Sequence, residues 1–235
     1  MIGTEHSAQQ IDAVVRGQAC ARGISEVILH HTWSPTASQY RGIQTIKGIH
    51  NYHVNERGWS DIGYHYLVAP NGAIWLGRPL SRDGGHVLGR NSGTIGVSLI
   101  LNGDVELPKD AQIAAVAALL GSLFSRFGIR AAENFIPGKR GFHRHYADKS
   151  CPGTLITESM VLGWLLPSVD GHDAEDDDGP DVAEWAAESV DYCVKHELLG
   201  GYPDGTFKGD RPMTRQEVAC VIARLHKALA EGSDE

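Results

Sequence analysis

The stretch GFHRHYADKSCPG, residues 141–153, gathers His143, His145, Lys149 and Cys151 in one short polar loop bounded by glycines. Imidazole nitrogen and thiolate sulfur are the ligands zinc prefers, and a hydrolytic zinc keeps three protein ligands with a fourth position open for water. A second supply stands at the end of SEVILHH, residues 25–31, in His30 and His31. Neighbouring strand residues point to opposite faces, so only one of the two can join the loop, and the spacing leaves open which. His50 and His53 form a competing HxxH pair, although in a helical pattern His53 better suits packing or ligand contact. Metal-free readings fit the same residues: a histidine pair capping a strand and a buried loop thiol. Cys20, Cys193 and Cys220 lack such neighbours and read as small buried hydrophobes.

These side chains need elements to position them. SEVILHH is a short β-branched run that fits a buried strand opening onto a site. YRGIQTIKGIHNYHV, residues 40–54, spaces Ile43, Ile46, Ile49 and His53 at helical intervals and is expected to end near Gly58. IGYHYLVAPNGAIWLGR, residues 62–78, holds two apolar runs joined by Asn71-Gly72, a strong hairpin signal. TIGVSLIL, residues 94–101, reads as another strand. Pro108 opens a long periodic helix through Ile113, Val116, Leu119, Leu120, Leu123 and Phe124 that stops at Gly128. TLITESMVLGWLL, residues 154–166, is a closing helix. Strands flanked by amphipathic helices predict an α/β domain with a mixed central sheet.

The chain has 235 residues, 42% hydrophobic and 21% charged, and no apolar run long enough to span a bilayer. A soluble protein without membrane insertion is expected. The net charge of −8 divides unevenly: residues 1–169 carry 15 Lys+Arg against 12 Asp+Glu, residues 170–235 carry 6 against 17. The mildly basic part suits either an anionic polymer or ordinary solvated surface, and nucleic acid is not indicated. VDGHDAEDDDGPD, residues 169–181, is nearly devoid of apolar residues and repels itself, as a linker does. The expected organisation is a domain over 1–168, a linker over 169–180 and a small all-α helix-loop-helix module over 181–235.

VILHHTWSP, NYHVNERGWSDIGYHYLVAPNGAIWLGR, NSGTIGVSLI and FHRHYADKSCPG, in this order, resemble the zinc-dependent N-acetylmuramoyl-L-alanine amidases. That family includes phage lysozyme-type amidases and peptidoglycan recognition proteins. The resemblance implies zinc held by His30, His143 and Cys151, the cysteine standing eight residues beyond the loop histidine. It also singles out Tyr64 and Lys149 as the catalytic pair; by residue type alone they read as a packing tyrosine and a solvated lysine. His53, Trp59, His65, His86 and Asn91 resemble groove-lining, substrate-contacting positions, and His145 is expected outside the ligand set. The implied reaction is hydrolysis of the amide between N-acetylmuramic acid and L-alanine of peptidoglycan by a zinc-activated water. Non-catalytic recognition of the same polymer is the alternative.

Residues 181–229 resemble a single S-layer homology repeat, through Asp181, Trp185, GYPDGTF and the TRQE element with Thr214, Arg215 and Glu217. That resemblance implies a secondary cell-wall polymer as partner, with Arg215 pairing to its acid groups, and self-association of the lone repeat, such as a trimer. The N-terminal sequence lacks the basic start and apolar block of a secretory signal. Synthesis in the cytoplasm and action on the wall during host lysis, as by an endolysin, are therefore expected, with a bacterial autolysin as the competing origin.

Overall fold

The computed structural model describes residues 3–165 continuously and, beyond them, residues 182, 187–196, 198–200, 207, 218 and 221–225. The chain divides into two compact units, Met1–Pro167 and Ser168–Glu235. The segment 169–180 and the five residues Asp181, Trp185, Thr214, Arg215 and Glu217 lie outside the described residues.

In chain order the first unit contains β1 (Glu5–His6), α1 (Ile11–Gly17), β2 (Glu26–His31), α2 (Ile43–Asn51), β3 (Tyr66–Val68), β4 (Ile74–Leu76), β5 (Thr94–Leu99), α3 (Asp110–Phe127), α4 (Ala131–Asn134) and α5 (Glu158–Trp164). The strands form one mixed sheet in the order β1-β4-β3-β5-β2. β2 runs parallel to β5 with His30 opposite Ser98, β3 runs parallel to β5, and β3 pairs antiparallel with β4. The sequence-based hairpin is present with a longer loop: Ala69 and Ala73 close it through a backbone bond of 2.8 Å, and Gly72 supplies the left-handed residue at φ +85°.

Strand alternation assigns the two sheet faces. Val27, Leu29, Tyr66, Val68, Ile74, Ile95, Val97 and Leu99 share a core with Ile11 and Val15 of α1 and Val116, Leu119, Leu120 and Leu123 of α3. On the other face Leu67 and Trp75 pack with Ile46 and Ile49 of α2, and His30 belongs to this face because it alternates with Leu29. Although β2 lies at the edge of the sheet, it is buried on both faces, which is why Val27, Ile28 and Leu29 run on without polar alternation. Helix α3 ends as its sequence indicates, with Gly128 left-handed at φ +65° accepting the termination. Helix α2 begins at Ile43 and continues through one π-helical turn, Tyr52–Glu56, before Gly58. Helix α1, which the sequence reading did not identify, packs on α3.

Two contacts tie loops to the edge of β2. Glu26, almost wholly buried, pairs with Arg90 at 3.0 Å and Arg140 at 3.7 Å, and accepts from Tyr146. At the other end of β2, the 102–106 turn and the 150–154 loop meet backbone to backbone: a Cβ on Gly103 would lie 2.1 Å from the Pro152 carbonyl oxygen. Asp104 reinforces this junction by accepting from Ser150 Oγ and from the Thr154 N–H, each at 2.8 Å.

The second unit is described by helix α6 (Ala187–Lys195) and a further helical segment, 221–225. Tyr192, Val194, Ile222 and Leu225 are exposed in it.

Gly103→Ala should lower stability by about 1–3 kcal/mol, because the added methyl meets backbone that cannot rotate away. A urea midpoint unchanged from the wild type would show that the two loops separate without cost.

Candidate metal centre and catalytic groove

Three ligand-type side chains converge where β2 ends. The ligand atoms of His30, His143 and Cys151 all lie within 4.8 Å of one another, and among the described residues no other such group of His, Cys, Asp and Glu occurs. The choice between His30 and His31 is made by strand parity. His30 projects onto the groove face with its Nδ1 3.6 Å from Cys151 Sγ. His31 turns away, its Nδ1 accepting the Gly103 N–H at 3.0 Å. Its backbone N–H points back and donates to Cys151 Sγ at 3.4 Å.

The donor set fits zinc. Zn–S of ~2.3 Å and Zn–N of ~2.0 Å at a tetrahedral angle place sulfur and nitrogen about 3.5 Å apart, close to the 3.6 Å separation of His30 and Cys151. Burial holds His30 well below the ordinary histidine range, aided by the field of neighbouring His86. Burial also brings His143 down to about 4, with Lys149 contributing. Both rings are therefore neutral, with lone pairs available to a metal. Burial pushes the Cys151 thiol up to about 12, partly offset by the His31 N–H and Lys149. A thiolate at this position needs a cation.

Around this cluster Tyr64, which immediately precedes the turn into β3, sets its ring 5.2 Å from that of His30. Burial and the nearby Cys151 raise its pKa far above that of a free phenol, while Ser98 acts the other way, so Tyr64 keeps its proton and is a hydrogen-bond donor. Lys149 is exposed, two residues before Cys151, and its charge reaches His30, His143 and Cys151. His53 is buried, stacked on half-buried Trp59 with ring centroids 4.6 Å apart and edge-on to Tyr64 at 5.6 Å. Its Nδ1 accepts the Gly63 N–H at 3.3 Å.

The other sequence-based groove positions sit deeper. His65 is 1% exposed, with Nδ1 accepting from the Gly96 N–H and Nε2 3.0 Å from the Arg82 carbonyl. Both ring nitrogens are thus occupied by backbone, so His65 supports the floor. Asn91 Oδ1 accepts the N–H groups of His86 and Val87, at 2.8 and 3.0 Å, and so shapes the loop that carries His86. His86 itself is buried against His30, 3.0 Å from its Nε2. His145, expected outside the ligand set, turns to Glu158 of α5 at 2.8 Å. Sequence reading did not single out Thr94, Gly96, Ser98 or Asp104. The small residues at 94, 96 and 98 in TIGVSLI, alternating beneath the histidines, are the signal that was available.

Residues 21–154 match the N-acetylmuramoyl-L-alanine amidase family, and residues 176–219 match the S-layer homology domain. Peptidoglycan-recognition protein SC2 of Drosophila simulans is 34% identical over 134 residues, spanning 57% of this chain and 70% of that protein. An N-acetylmuramoyl-L-alanine amidase of Homo sapiens is 31% identical over 139 residues, 58% of this chain and 23% of that protein. Among solved structures, N-acetylmuramoyl-L-alanine amidase LysC from Clostridium intestinale superposes with a TM-score of 0.50 at 25% identity, covering 61% of this chain and 86% of that one. A mixed sheet with a His-His-Cys cluster at the end of its edge strand, together with a family match over more than half the sequence, places this chain in the N-acetylmuramoyl-L-alanine amidase family.

Proposed function

We propose that the first unit is a zinc-dependent peptidoglycan hydrolase that cleaves the amide between the lactyl group of N-acetylmuramic acid and L-alanine. The observation that carries this reading is the convergence of buried His30 and Cys151 with half-buried His143, both imidazoles neutral, with Tyr64 and Lys149 beside them. Zinc, when bound, supplies a Lewis acid that polarises the carbonyl and lowers the pKa of a coordinated water from ~15.7 to ~7. The chain's own residues do the rest. His30 and His143 offer neutral nitrogen and Cys151 offers sulfur, held by the His31 N–H. Tyr64 presents a phenolic O–H and Lys149 an ammonium toward the carbonyl oxygen as negative charge develops there, each such donor worth roughly 3–4 kcal/mol in other enzymes. One of the two also delivers the proton that the departing L-alanine amine requires. Water is consumed, and a lactyl carboxylate and a free amine result.

The S-layer homology match supports a wall-anchoring role for the second unit, with a secondary cell-wall polymer as its ligand and Arg215 as a contact. A hydrolase that carries its own anchor suits a lytic, endolysin-like task, in which retention near the substrate raises effective concentration. Exposed Tyr192, Val194, Ile222 and Leu225 support self-association of the repeat; light scattering of the whole protein at micromolar concentration should give a mass above the monomer, and a monomer would remove that part of the reading. Recognition without hydrolysis is the second reading, favoured by the relatives named as recognition proteins.

The deciding experiment measures zinc content and the release of L-alanine amino termini from purified peptidoglycan, with and without chelator. About one zinc per chain and chelator-sensitive amine release, without new reducing sugar ends, are expected. Wall binding with no amine released would favour recognition. His30→Ala should abolish zinc retention whereas His31→Ala leaves it largely intact, and the reverse pattern would overturn the ligand assignment. Tyr64→Phe should keep zinc yet lower kcat by about 10²–10³; an unchanged kcat would move oxyanion stabilisation elsewhere.

A further inference from the structure

We infer that His86 is a positioning residue for His30: it accepts the proton on His30 Nε2 and so fixes the tautomer that turns the bare His30 Nδ1 toward Cys151. The two rings meet edge to face, with His30 Nε2 and His86 Nδ1 3.0 Å apart. Of two neutral imidazoles at this distance, one donates and the other accepts. The direction is decided at the far side of His86. There Nε2 lies 3.3 Å from Thr94 Oγ1. The Thr94 hydroxyl is itself 2.7 Å from the Arg90 carbonyl and 3.2 Å from the Asn91 carbonyl, and carbonyl oxygens only accept. Its proton is committed to them, which leaves a lone pair for His86.

The sequence of bonds then runs one way. Thr94 donates to backbone carbonyl, His86 Nε2–H donates to Thr94, and His30 Nε2–H donates to His86 Nδ1. His30 Nδ1, 3.6 Å from Cys151 Sγ, is left with its lone pair. The reverse arrangement would put a proton on the nitrogen that faces the sulfur and oblige His86 Nε2 to confront Thr94 with no proton between them.

The His86 ring is held for this purpose. A Cβ on Gly96 would lie 2.6 Å from its Cγ and Cδ2, and one on Gly84 would lie 2.4 Å from its Cδ2, so both walls of the slot are glycine. Asn91 Oδ1 fixes the backbone on which the ring hangs. At 6% exposure His86 has little surface to offer a polymer, and both its nitrogens are already directed.

The consequence for metal affinity rests on the zinc reading above, but the tautomer is a property of the metal-free protein and is measured separately. The test is long-range ¹H–¹⁵N NMR of the histidine rings in the metal-free full chain. Zinc affinities by chelator competition accompany it for the wild type, His86→Leu, His86→Asn and Thr94→Val. Expected are Nε2-protonated rings for both His30 and His86, and zinc affinity about 10–100-fold weaker in His86→Leu. His86→Asn, whose amide oxygen reaches the Nδ1 position, should recover most of that loss. Thr94→Val, nearly isosteric, keeps the fold if the leucine does not; it should give mixed His86 tautomers and a smaller loss. His30 protonated on Nδ1, or equal zinc affinities in leucine and asparagine variants, would overturn the inference. So would a raised KM with unchanged zinc affinity, which would return His86 to substrate contact. Failure of the wild type to bind zinc would count against the proposed reaction while leaving the NMR result to decide the relay.

Discussion

Three consecutive residues of β2, Leu29 to His31, are where the site is assembled, through backbone as much as through side chains. Leu29 donates its N–H to the Gly141 carbonyl at 2.8 Å and bridges to Phe142, which fixes the loop that presents His143 one residue later. His30 projects the buried ring. The His31 N–H reaches Cys151 Sγ while the His31 ring secures Gly103, whose turn abuts the Cys151 loop. Every member of the cluster is thus referenced to one edge strand, and that strand is immobilised by its parallel pairing with β5 over its whole length. A displacement of β2 by one residue would exchange His30 for His31 on the groove face and undo all three links together.

Burial then gives these groups their chemistry. Desolvation is the first cause of the perturbation at His30, His143, Cys151 and Tyr64 alike. It acts in opposite directions on bases and acids, and both outcomes serve one end. Histidines are kept neutral and able to coordinate, and the phenol is kept protonated and able to donate. Only the thiol is left in an unsuitable form without a partner, which is the electrostatic case for a cation at the centre of the cluster. Lys149, exposed at the rim, adds positive charge without entering the buried set.

Much of this was legible in the sequence because periodicity and chemistry coincide there. The strand SEVILHH, the Asn71-Gly72 hairpin and the helix from Asp110 to Gly128 follow from patterns of local residues, and the structure has each of them. The loop offers His143, His145 and Cys151 together, and it is the family resemblance that singles out His143 with Cys151. What the sequence withheld depends on long-range packing. Strand parity reduces His30 and His31 to one ligand, but which face is the groove is determined by α1 and α3 covering the other. His65 and His86 are expected to line the groove only because they resemble substrate-contacting positions of the family. Their burial and their bonds to Gly96, Arg82 and Thr94 emerge only when β5 lies beneath them. Glu26, at the start of the same strand, gives no hint in the sequence that Arg90, Arg140 and Tyr146 will converge on it from more than 60 residues away.

The division of the sheet into two faces also separates stability from chemistry. The larger core, with Leu119, Leu120, Leu123, Tyr66 and Val97, lies on the face away from the cluster and contains none of its three residues. The groove face has a smaller apolar cluster under α2, and its remaining area is given to histidines, glycines and Ser98. Loss of a ligand would therefore leave the main core intact. Relatives named as an amidase and as a recognition protein both align with this chain, and the cluster that bears on the choice is confined to the end of one strand and one loop. In this chain the backbone contacts that aim His30, His143 and Cys151 run through the 102–106 turn and the 141–154 loop.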